Sequence, residues 1–144
     1  FQPQPSSASL PQPKRALHVL LAEDNAINAR LARGLLEKLG HTVTHVINGA
    51  LAVEAAAKGG WDAVLMDMQM PVLDGLDATR EIRKEEQRTG GHLPIIALTA
   101  NAMKGDDQIC LDAGMDAYLT KPIDLAALTR ALESLTAEVR EKTA

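Results

Sequence analysis

Short apolar runs and stretches of helical period alternate along the chain from residue 16 onward. ALHVLLA (16–22) lacks polar alternation, as expected of a strand covered on both faces. Ile27, Leu31, Leu35 and Leu39 then recur at four-residue intervals, which predicts one helical stripe, with Gly40 at the helix C-cap. TVTHV (42–46) is short and β-branched and predicts a second strand; Asn48-Gly49 breaks it, and the Ala-rich ALAVEAAAKG favours helix. WDAVLMD (61–67) predicts a third strand, and residues 75–88, with Leu76 and Ile82 among many charges, a mostly exposed helix ended by Gly90-Gly91. LPIIALT (93–99) predicts a fourth strand, residues 102–113 a short helix ending at Gly114, and AYLT (117–120) a brief fifth strand. After Pro122, Leu125, Leu128, Leu132 and Leu135 mark a final amphipathic helix, with Asp124 as its N-cap.

Five strands alternating with five helices across short connections is the signature of βαβ units stacked around a parallel sheet. Right-handed crossovers then put helices on both faces. Ligands of such a sheet bind beyond the carboxyl ends of its strands. Strand one ends in Glu23-Asp24-Asn25, strand three in Asp67, strand four in Thr99-Ala100 and strand five in Thr120-Lys121-Pro122. If these four strands are neighbours, three carboxylates, a hydroxyl and an ammonium converge. Carboxylates packed so closely repel, and their pKa values rise. A divalent cation removes the conflict, and hard oxygen ligands on rigid strand ends suit Mg2+. The lysine adds a second positive charge and the threonine a hydrogen-bond donor. Phosphoryl transfer needs positioning and charge neutralisation of this kind. A carboxylate can itself be the acceptor, forming an aspartyl phosphate; Asp67, at the rim of an apolar strand, is the candidate.

Composition narrows the picture. The 144 residues make about one ordinary domain, 46% apolar and 24% charged, as in a soluble globular protein. Phe1, Trp61 and Tyr118 are the only aromatics, so the core must be built from aliphatic side chains and Met. A net charge of −4 without a basic stripe argues against nucleic acid as a partner. With Cys110 alone, a disulfide framework is excluded and a zinc cluster disfavoured. No apolar stretch approaches the roughly 20 residues that span a bilayer, and no signal peptide is evident, so no membrane contact is expected of this segment. Pro3, Pro5, Pro11 and Pro13 stand among Gln and Ser, which predicts an extended linker over residues 1–15 ahead of a folded unit over 16–144. That linker, with Phe1 at its start, is expected to tether the unit within a longer protein.

The residues that end the strands also resemble, in wording and order, the receiver domains of two-component response regulators. The likeness covers about residues 16 to 140 and is carried by LLAEDNAINARL, DAVLMDMQMPVLDGLDATREIR, PIIALTA and DAGMDAYLTKPI. AEDNxxN and MDMQMPxxDG are most like receivers attached to hybrid histidine kinases. The resemblance implies a flavodoxin-like (βα)5 fold, a doubly wound parallel sheet of order 2-1-3-4-5. It implies Asp67 as phosphoacceptor, Asp24 as the principal acidic Mg2+ ligand, Glu23 as its acidic neighbour and the Gln69 backbone carbonyl as a further ligand. Thr99 matches the switch hydroxyl, Lys121 the lysine that pairs with the phosphoryl group, Pro122 the following residue, and Tyr118 the aromatic switch position. Gln69 and Asn101 flank the site where the family modulates phosphoryl lifetime, and small Ala100 leaves the site accessible.

The function expected is that of a phosphorelay receiver, which takes a phosphoryl group from a histidine kinase or a histidine phosphotransfer domain and changes conformation. Such a domain catalyses its own phosphorylation and dephosphorylation without being a turnover enzyme. A Mg2+-dependent aspartyl phosphatase of the haloacid dehalogenase type would need a second Asp where Gln69 stands. A flavodoxin-like mononucleotide binder would need a Ser/Thr/Gly-rich loop where AEDNAIN is anionic. No output domain follows the fifth helix, so the expectation is the receiver of a hybrid sensor kinase, in its C-terminal part, with a stand-alone receiver as the alternative. A cytoplasmic location, tethered if the parent kinase is membrane-bound, goes with either; oligomeric state stays open.

Overall fold

A computed structural model describes residues 16–99 and 106–143. Five strands and five helices alternate: β1 His18–Ala22, α1 Ala26–Lys38, β2 Thr42–Val46, α2 Gly49–Lys58, β3 Ala63–Asp67, α3 Gly75–Thr89, β4 Ile95–Thr99, α4 Asp106–Ala113, β5 Ala117–Thr120 and α5 Leu125–Thr143. The strands form one sheet, order β2-β1-β3-β4-β5, every pair parallel. This is the flavodoxin-like architecture expected from the sequence. The central strands β3 and β4 are buried throughout, which is why their sequences carry no polar alternation. The edge strand β2 is only partly covered and can carry Thr42, Thr44 and His45.

Successive side chains point to opposite faces, so each strand feeds two cores. Val19, Leu21, Leu65, Ile96 and Leu98 pack with Ala29, Ala32 and Leu36 of α1 and Leu128 and Leu132 of α5. Leu20, Ala22, Val64, Met66, Ile95 and Ala97 pack with Ala52 of α2, Ala78 and Ile82 of α3 and Cys110 of α4. Among the described residues no aromatic side chain is fully buried, as the composition requires.

The helix caps follow the sequence closely. Gly40 follows the C-cap Leu39 at φ 94°, a conformation that favours glycine. Asp124 caps α5, its Oδ2 accepting from the Ala127 N–H at 2.9 Å. The stripe expected on α1 meets the core only in its second half, at Leu35 and Leu39. Ile27 is 79% and Leu31 46% exposed, whereas Ala29, Ala32, Leu36 and Leu39 face the sheet. A strict four-residue interval drifts around a helix of 3.6 residues per turn, and small Ala lets the helix approach the sheet closely. Three strands start later than expected, β1 at His18, β3 at Ala63 and β4 at Ile95. The linker 1–15, Ala100, Asn101 and residues 102–105 of the expected fourth helix lie outside the described residues.

Candidate functional site

Two neighbouring strand ends, of β1 and β3, bring the acidic residues together. The chain leaves β1 through Glu23 and Asp24 because Asn25 caps α1, its Oδ1 accepting from Ile27 N–H at 2.9 Å and Asn28 N–H at 3.0 Å. Glu23 is 1% exposed and its Oε2 accepts from the Asn25 N–H at 3.2 Å, while Asp24 is exposed. Asp67 ends β3 and is 6% exposed; its Oδ1 accepts from the Gln69 N–H at 3.2 Å. Ligand oxygens of Glu23, Asp24 and Asp67 all lie within 4.8 Å of one another.

The last strand brings the cation. Lys121 Nζ lies 3.0 Å from Glu23 Oε1 and 3.2 Å from Asp67 Oδ2. Lys121 follows β5, its N–H donating to the Thr99 carbonyl at 2.8 Å, and the Lys121–Pro122 bond is cis. Thr99 is buried at the end of β4, in register with Thr120. Tyr118 sits on β5 opposite Ala97 and is 40% exposed.

The turn after β3 is tightly built. Gly75 N–H donates to the Met68 carbonyl at 3.1 Å, and a Cβ on Gly75 would lie 2.2 Å from the Asp67 carbonyl oxygen. Glycine alone lets α3 start this close to the acidic strand end. Asp74 caps α3 by accepting from the Asp77 N–H at 2.8 Å. Val72 between them has φ 70°, a strained backbone for a β-branched residue.

The electrostatics follow from burial. Desolvation pushes the Glu23 carboxyl from its ordinary 4.5 up to about 7; neighbouring Asp67 adds to the rise, while Lys121 and the Asn25 N–H oppose it. Burial alone would lower Lys121, but its pairing with Glu23 and Asp67 outweighs that and raises it. Glu23 Oε1 is buried, and its contact is the ion pair with the Lys121 ammonium at 3.0 Å. Three carboxylates that face a single ammonium, one of their oxygens buried, fit a hard divalent cation.

The sequence-predicted Glu23, Asp24, Asp67 and Lys121 thus meet at one end of the sheet. Thr99 ends the neighbouring strand, and the Gln69 N–H, not its carbonyl, makes the contact seen with Asp67. His45 was not anticipated. Its Nε2 lies 2.7 Å from the Glu23 carbonyl oxygen, and a lone histidine on an edge strand gives no sequence signal of that contact.

Comparison with known proteins agrees with this geometry. The family model for the response regulator receiver domain matches residues 19–133. Hybrid signal transduction histidine kinase I of Dictyostelium discoideum is 47% identical over 111 residues, 74% of this chain and 6% of that protein. The receiver domain of the sensor histidine kinase PA1611 of Pseudomonas aeruginosa, whose crystal structure has a magnesium ion coordinated in the active site cleft, is 46% identical with a TM-score of 0.77. That match covers 85% of this chain and 99% of the other. The receiver domain of the Saccharomyces cerevisiae response regulator Ssk1, in complex with the histidine phosphotransfer protein Ypd1, gives 33% identity and a TM-score of 0.80 over 85% of this chain and 90% of that one. The chain spans only 6%, 13% and 15% of three curated relatives that it matches.

Proposed function

The chain belongs to the response regulator receiver domain family, and from that premise we propose that Asp67 accepts a phosphoryl group from a phosphohistidine. The observation that carries the reading is a carboxylate at a strand end with an ammonium 3.2 Å away and two further carboxylates within 4.8 Å. In the step proposed, an Asp67 oxygen attacks phosphorus, the P–O bond forms as the P–N bond breaks, and the leaving imidazole takes a proton. Lys121 neutralises charge on the phosphoryl oxygens, and the Thr99 hydroxyl donates to one of them. Glu23, Asp24, Asp67 and the Gln69 carbonyl would hold Mg2+, which when bound supplies positive charge to the carboxylates and the phosphoryl group. Attack of water on phosphorus returns the free carboxylate, so the domain turns over its own label rather than a separate substrate.

Phosphorylation then biases an existing equilibrium. Thr99 and Lys121 move toward the phosphoryl group, Tyr118 turns inward from its exposed position, and the α4–β5–α5 face changes. The donor in this reading is a histidine kinase or a histidine phosphotransfer domain. The parent chain is a hybrid sensor kinase, with residues 1–15 as the linker to the receiver. Among the described residues no helix is long and apolar enough to cross a membrane.

Intact-mass measurement after incubation with acetyl phosphate and Mg2+ tests the proposal. One added phosphoryl group, lost with hydroxylamine and absent from Asp67→Asn, is the expected result. No label on the wild type, or equal label on Asp67→Asn, would overturn it.

A further inference from the structure

The pairing of β1 with β2 stops one step short at the acidic corner. Glu23 N–H donates to the Val46 carbonyl at 3.0 Å. A parallel ladder continued by one step would bring the Asn48 N–H to the Glu23 carbonyl. Asn48 instead turns away as the N-cap of α2, its Oδ1 accepting from the Leu51 N–H at 2.8 Å. The Glu23 carbonyl therefore loses its ladder donor at a residue that is 1% exposed. An unpaired backbone acceptor there would carry a desolvation cost.

The imidazole of His45 takes the place of the missing donor. Its Nε2 lies 2.7 Å from the Glu23 carbonyl oxygen. A carbonyl only accepts, so Nε2 carries the proton. The oxygen it holds belongs to the peptide group that joins Glu23 to Asp24. On the far side, the Asn25 N–H donates to Glu23 Oε2, and the Asn25 side chain caps α1. The two acidic residues are thus clamped between a β2 imidazole and the first turn of α1.

We infer that His45 is a positioning residue for the cation site. By fixing the Glu23–Asp24 peptide it holds both carboxylates toward Asp67 before a cation arrives. Such outer hydrogen bonds set ligand orientation and are worth roughly 10- to 100-fold in metal affinity. The inference rests on the reading of Glu23, Asp24 and Asp67 as a Mg2+ site.

The test is a MgCl2 titration of the full chain, followed by backbone amide shifts, on wild type, His45→Leu, His45→Thr and His45→Gln. Thermal unfolding of each without Mg2+ runs alongside. Thr is short, suits a strand and cannot reach the carbonyl, so it keeps the comparison should Leu fail to fold. Gln places an N–H near the position of imidazole Nε2. Leu and Thr are expected to weaken Mg2+ binding roughly 10- to 100-fold, and Gln to restore most of the loss, a pattern that melting temperature alone would not reproduce. Wild-type affinity in the Leu or Thr variant, or a Gln variant no better than these, would overturn the inference and leave the cation site standing. A wild type whose amides do not respond to Mg2+ would overturn the cation site, and the inference with it.

Discussion

Lys121 is the residue on which the acidic corner balances. Its ammonium faces two carboxylates whose side chains alone are 1% and 8% exposed. Lys121→Met should leave both charges uncompensated and cost on the order of 2 kcal/mol of metal-free stability at pH 8. The cost should shrink by pH 5, where Glu23 is protonated, and urea denaturation at the two pH values checks it. Glu23 itself gives the wild type a pH signature. Its folded pKa is about 7 against an ordinary 4.5, so the folded state holds the proton longer than the unfolded chain does. That contribution is fully present below pH 4.5 and is lost as pH rises toward 7. Metal-free stability should therefore fall across that window by at most about 3 kcal/mol, and Glu23→Gln should flatten the fall. A denaturation series with EDTA, wild type against variant, measures it; added Mg2+ should favour the ionised carboxylate and reverse the trend.

At the scale of elements, the β3–α3 turn decides how near α3 can begin to Asp67. Gly75→Ala would place a methyl group 2.2 Å from the Asp67 carbonyl oxygen and 2.9 Å from Met68 Cα, neither of which is a flexible side-chain end. The turn must open, at a cost of about 1–3 kcal/mol. Labelling by acetyl phosphate should slow as Asp67 shifts; thermal melts and a labelling time course check both effects. Most of the elements were legible in the sequence. The unbroken apolar runs at β3 and β4 declared buried strands, and the residues that end them pointed to the candidate site. Two features were not legible, each for a physical reason. The four-residue spacing of Ile27, Leu31, Leu35 and Leu39 fixes a helix but not its rotation, and the sheet selected the alanine-bearing face. The His45 contact depends on where the β1–β2 ladder stops, which is a tertiary fact.

At the scale of the whole molecule, the face of α1 that the sheet did not select stays in solvent. Ile27 and Leu31 on α1, Ile47 and Leu51 around the start of α2, and Val72 after β3 are all exposed, and the chain order puts Ile27, Ile47 and Val72 at the end of the sheet that holds Asp67. Exposed apolar groups around a reactive carboxylate suit the docking of a phosphodonor protein. Ile27→Asp should slow transfer from a phosphorylated histidine protein by roughly tenfold or more, a loss of about 1.4 kcal/mol. Labelling by acetyl phosphate, which needs no docking, should be unchanged; equal losses with both donors would place the defect in the site itself. The strand order has one more consequence. The ammonium beside Asp67 arrives from the fifth strand, while the carboxylates come from the first and third. That set is complete only once β5 has paired beside β4, and β4 beside β3. A chain whose fifth strand is undocked therefore displays these acidic residues without the ammonium that neutralises them.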